Sequence, residues 1–88
     1  MSAFFGGSAY NMVRDIADGF IIVSERTFRN YGPKEIAEFT QEANRYLQEI
    51  RSDQPASDDT IANQKRRRRM QRLQQATTIA SNALMRRR

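Results

Sequence analysis

Phe28-Arg29-Asn30-Tyr31-Gly32-Pro33-Lys34-Glu35-Ile36 divides the chain. Gly32 has no Cβ and suits the left-handed residue that ends a helix. Pro33 has a fixed φ and no N–H, which suits the first position of the next one. Glycine directly before proline is therefore a stop–start signal. It predicts two helices joined by a short link, and a short link between amphipathic helices makes an antiparallel αα-hairpin.

Upstream of this signal, Met12, Val13, Ile16, Ala17, Phe20, Val23, Phe28 and Tyr31 fall on one side of a helix drawn at about 100° per residue. Arg14, Asp15, Asp18, Glu25, Arg26 and Arg29 fall on the other, with Arg14–Asp18 and Glu25–Arg29 spaced for i,i+4 ion pairs. The pattern predicts one helix over residues 9–30, with Ser8 as its N-cap and residues 1–8 as a flexible lead. Ile22 sits on the polar side, and the β-branched run Ile21-Ile22-Val23 also permits a short strand. The apolar stripe is wide, roughly 160°, more than one narrow partner stripe can cover. Phe4, Phe5, Met12, Ile16, Phe20, Val23 and Phe28 are accordingly expected to meet a third helix, a second copy of the chain or another protein.

Downstream, Ile36, Phe39, Ala43, Tyr46, Leu47 and Ile50 step by three and four, as in a coiled-coil seam. They predict a second helix over residues 33–51, so that the hairpin occupies 9–52. Glu38, Glu42 and Glu49 lie on its polar side and read as solvated carboxylates rather than an acid–base pair. Pro55 ends this helix and centres a linker over residues 53–58. Ser57, Asp58 and Asp59 offer an N-cap for a third helix, and residues 59–88 form a basic helix and tail. Its stripe is Ala62, Met70, Leu73, Ala76, Ala80 and Leu84, which admits a close neighbour but buries little. Arg66 and Arg69 interrupt it. The fold class is all-α: an antiparallel αα-hairpin followed by an arginine-rich helix.

The net charge of +5 hides a division. Residues 1–59 carry six cations and ten acids, whereas residues 60–88 carry nine cations and no acid. The cations concentrate in Lys65-Arg66-Arg67-Arg68-Arg69, with Arg72 one turn on and Arg86-Arg87-Arg88 at the end. Five consecutive helical residues advance about 400°, so this run rings its helix. Lys65–Arg69 and Arg68–Arg72 are like-charge i,i+4 pairs, each unfavourable by a few tenths of a kcal/mol. The run is expected to fray alone and to gain helix when anions neutralise it. Arginine suits phosphate because its planar fork donates two parallel hydrogen bonds and keeps its charge. Over about ten residues the run resembles arginine-rich RNA-binding helices and the basic arms of zipper proteins, but the leucine heptads of a zipper do not follow, so no family is implied.

Composition removes other functions. The chain has no Cys and no His, hence no disulfide, no expected metal site and no His-based catalysis. Gly6-Gly7 lacks the Lys-Ser/Thr of a phosphate-cradling loop. Tyr10, Tyr31 and Tyr46 sit on apolar stripes and read as core or interface. No signal peptide and no transmembrane run is visible; the longest apolar stretch is Phe20-Ile21-Ile22-Val23. The expected protein is non-enzymatic, needs no cofactor, and is cytoplasmic or part of a nucleoprotein assembly. Its leading function is binding of nucleic-acid backbone, RNA or DNA, by Lys65, Arg66, Arg67, Arg68, Arg69, Arg72, Arg86, Arg87 and Arg88. The alternative is a structural, assembly or adaptor subunit of a larger particle, with the first helix as contact surface and the basic helix docked on acidic protein. Self-association or a protein partner is expected in either case. A membrane partner is not, because the polar side of the first helix mixes both signs of charge.

Overall fold

A computed structural model of the chain describes residues 4–86, and Arg87 and Arg88 of the expected anion site lie outside them. Three α-helices form the architecture: α1 (Ala9–Ala17), α2 (Pro33–Ser52) and α3 (Thr60–Met85), with short 3-10 turns at Phe5–Gly7 and Glu25–Phe28. The all-α class holds, and the described residues contain no strand.

The first helix ends far earlier than its periodicity predicts. Asp18 and Gly19 stop it through a Schellman turn: Gly19 donates to Ile16 O at 3.1 Å, and Phe20 donates to Asp15 O at 2.8 Å. The turn needs a left-handed residue, and Gly19 supplies it at φ +83°. The chain then runs extended through Ile21–Ser24, without a β partner, and re-enters the core through the Glu25–Phe28 turn. Ser24 and Thr27 hold that turn reciprocally: the Ser24 N–H donates to Thr27 Oγ1 and the Thr27 N–H to Ser24 O, each at 3.0 Å. The link between α1 and α2 is thus residues 18–32, not one glycine. Gly32 is extended (φ −77°, ψ 173°) and serves as the N-cap of α2, so it is not the left-handed end of a preceding helix. The Glu35 carboxylate folds back onto its N–H at 3.1 Å. A Cβ at Gly32 would lie 2.8 Å from that carboxylate oxygen, so a side chain there would require Glu35 to shift.

Gly19→Ala tests the break directly. An Ala at positive φ is unfavourable by about 1–2 kcal/mol, and its Cβ would stand 3.1 Å from the Arg72 guanidinium carbon. A urea midpoint displaced downward by that amount is expected. A stabilised variant would mean that residues 9–30 form one helix, where Ala outranks Gly by about 1 kcal/mol.

The remaining local signals act as read. Ser8 Oγ accepts from the Asn11 N–H and Asp59 Oδ1 from the Ala62 N–H, so α1 and α3 carry the expected side-chain caps. All six residues of the α2 stripe are buried. They meet Met12, Val13, Ile16 and Ala17 of α1, Phe28 and Tyr31 of the link, and Leu73, Ala76, Ala80 and Ala83 of α3. Phe28 packs against Phe39 (centroids 5.0 Å apart) and, edge-on, against Tyr31. The Tyr31 hydroxyl donates to Met12 Sδ, and burial, then the Glu35 carboxylate, holds its pKa above the ordinary tyrosine value. α3 lies antiparallel to α2, and its alanines permit the close approach. The surplus apolar face of the first segment is therefore covered within the chain, by α3.

This burial corrects the expected protein-contact surface. Met12, Ile16 and Phe28 are interior, and Phe4 folds back edge-on against Tyr31, leaving the lead only partly free. Val23 is half-buried, while Phe5 and Phe20 point outward. Phe20 is 80% exposed and Ile22 93%.

Candidate polyanion interface

α3 is helical through the whole cationic run. Its neutralising acceptors come from the same chain. Steps of three residues put Arg66, Arg69 and Arg72 on the side that faces the other helices. Arg66 Nε donates to Ile50 O at 3.1 Å, and its terminal nitrogen to Arg51 O at 3.3 Å. Arg72 Nη1 donates to Ala17 O at 2.9 Å. These carbonyls belong to the last turns of α2 and α1, where helix ends leave acceptors unsatisfied and the dipole is negative. Two arginines of α3 therefore cap the C-termini of the other two helices.

Arg69 stands between them. It donates to the Tyr46 hydroxyl and lies 5.5 Å from that ring's centroid. Its Nε is 3.3 Å from Asp18 Oδ1, an ionic contact too far off line to be a hydrogen bond. Asp18 thus meets Arg69 across the fold instead of Arg14 along α1, and Arg14 leans on Asp15. Glu25 is paired with Arg86 at 3.0 Å, which pins the link to the end of α3.

The outward cations are different. Lys65, Arg67 and Arg68 are exposed, and none has a hydrogen bond or ion pair among the described residues. Together with the outer part of Arg72, Lys65 and Arg68 recur at i, i+3 and i+7 along one line of the helix. They border a concavity of about 250 Å³ lined by Asp18, Lys65, Arg68, Arg69 and Arg72. Four cations face one carboxylate there, and that carboxylate is already engaged by Arg69. A larger cleft, about 500 Å³, opens where α2 ends beside α3. Asp18, Glu49 and Asp53 balance Lys65, Arg66 and Arg69 in its walls, so it offers an anion no net attraction.

The seven described cations of the expected anion site therefore separate by position. Lys65, Arg67 and Arg68 face solvent, Arg66 and Arg69 are half-buried structural donors, Arg72 does both, and Arg86 is tied to Glu25. Tyr31 and Tyr46 are in the core as expected, whereas Tyr10 is 44% exposed. Among the described residues no cluster of acids could hold a metal ion, and no helix is long and apolar enough to cross a membrane. Comparison with protein-family models, with curated proteins and with solved structures finds no match to this chain.

Proposed function

We propose that this protein binds the phosphate backbone of nucleic acid through the outer face of α3, without catalysing a reaction. The observation that carries this reading is the unpartnered pair Lys65 and Arg68 in line with Arg72, with exposed Arg67 on the adjoining side, on a helix that contains no acid. A helix already formed spares the backbone ordering that a disordered basic segment would need on binding, although the exposed side chains still lose rotamer freedom. The inward arginines serve the site by fixing α3 to the hairpin, which sets the direction in which the outer cations point. The same face could dock on acidic protein, but cations repeated along a line match regularly spaced phosphates better than scattered carboxylates.

Binding to labelled nucleic acid across a salt series tests the reading. About three phosphates neutralised by the outer cations predict a log–log slope near −3 on duplex and a smaller one on single strands. Lys65→Gln/Arg67→Gln/Arg68→Gln should abolish most of that slope. Absence of binding at about 50 mM salt, where such contacts are strongest, would sink the proposal.

A further inference from the structure

We infer that the nucleic acid taken by this face is single-stranded, and that Phe20 stacks on one of its bases. The inference rests on the backbone-binding reading above and adds a base contact to it. Lys65, Arg68 and Arg72 form a track about 10 Å long on α3. The track ends at Gly19, where the Arg72 guanidinium lies so close that an added Cβ would be 3.1 Å from its carbon. Phe20 is the next residue, 80% exposed, on a backbone held by the Schellman turn and by its own N–H bond to Asp15 O. A solvent-exposed aromatic residue thus follows directly on the residue that the last cation of the line touches.

The surroundings favour a flat, partly apolar ligand. A hollow of about 250 Å³ opens next to the track, and Ile21, Ile22, Ile79 and Arg72 are among its walls. Ile22 is itself 93% exposed. Cations in a row with an exposed ring at the end are what single-strand binding uses: the cations follow the backbone, and the ring takes the face of an unstacked base. In a duplex every base face is covered by its neighbours, so Phe20 would have nothing to stack on. Stacking is tolerant of sequence, so little base preference is expected of this contact.

The test compares three probes at one salt concentration: a labelled mixed-sequence single strand, its duplex, and inorganic polyphosphate, which carries charge but no base. Phe20 is largely outside the core, so Phe20→Ala should keep the fold, as checked by its circular dichroism. It should weaken single-strand binding by about 5- to 100-fold, the usual range for one lost stack, and leave duplex and polyphosphate unchanged. Phe20→Trp should restore the affinity, with its fluorescence quenched by the single strand alone. Lys65→Gln/Arg68→Gln should weaken all three probes.

Equal single-strand binding by wild type and Phe20→Ala, with polyphosphate still lost in the cation variant, would overturn the stacking inference and leave the backbone reading standing. Parallel loss of all three probes in Phe20→Ala would also overturn it, since the ring would then act only through the cations' geometry. A Phe20-dependent affinity for anionic phosphatidylserine vesicles above that for the single strand would overturn it in favour of a lipid surface. Failure of wild type to bind any probe would remove both readings.

Discussion

Phe28→Ala should destabilise the isolated protein by about 3–5 kcal/mol, the range for truncating a large, fully enclosed aromatic. Phe28 has no exposed surface and touches both Phe39 and Tyr31. A domain of this size has a total stability of about 4–13 kcal/mol, so the loss is a large part of the whole. The melting temperature should fall by about 12 °C or more. Phe28→Leu, which keeps most of the volume, should fall much less and provides a folded comparison if the alanine variant does not fold. The result separates two placements of this residue. On a continuous helix over residues 9–30 Phe28 would lie on a contact surface, and its truncation would weaken association while leaving the protomer's melting temperature alone. Thermal unfolding at two protein concentrations, followed by circular dichroism, distinguishes these outcomes.

The second large effect concerns the division of the arginine run. Arg66→Met/Arg69→Met/Arg72→Met removes the side-chain hydrogen bonds that tie the run to Ile50, Arg51, Tyr46 and Ala17, and leaves Asp18 without its partner. Hydrogen bonds from charged donors are worth about 1.5–3 kcal/mol when sheltered. These side chains are only partly covered, so a total near 2–3 kcal/mol is expected for the three after screening. Lys65→Gln/Arg67→Gln/Arg68→Gln removes the same formal charge from the same eight residues. Its stability should stay within about 0.5 kcal/mol of wild type, while its binding to polyanion collapses. Urea denaturation and a binding titration on both triple variants measure the two effects. If the outward set proved as destabilising as the inward set, the arginines would be acting through bulk charge and not through the carbonyls at the ends of α1 and α2.

Much of this organisation was legible from the residues. The α2 stripe, the proline that starts that helix, and the Ser8 and Asp59 caps are local signals, and local chemistry decides them. The end of α1 was hidden by a coincidence of phase. Phe20, Val23, Phe28 and Tyr31 continue the apolar side of a helix drawn through Ala17, although the chain leaves helical geometry at Gly19. Asp18-Gly19, with the β-branched run Ile21-Ile22-Val23 just beyond Phe20, was the available sign of a stop, and it competed with eight residues in phase. The inward arginines left a trace as well. Arg66 and Arg69 break the stripe of α3 at positions where an apolar residue would otherwise face α2. That they reach carbonyls on other helices is tertiary information, which no window of sequence contains. The same holds for Phe20, whose exposure follows from the break in α1.

The reach of these contacts bears on how the protein is made. Ala17 O waits for a donor 55 residues later in the chain, and Ile50 O for one 16 residues later. Synthesis proceeds from the N-terminus, so the α1 and α2 segments are made before the arginines that close them. Met12, Phe28 and Phe39 have no cover from Leu73, Ala76 and Ala80 during that interval. A product interrupted before residue 66 would carry an open apolar face and two uncapped helix ends. The segment proposed to meet nucleic acid is therefore the same segment that supplies both the donors for the two helix ends and the cover for the apolar face.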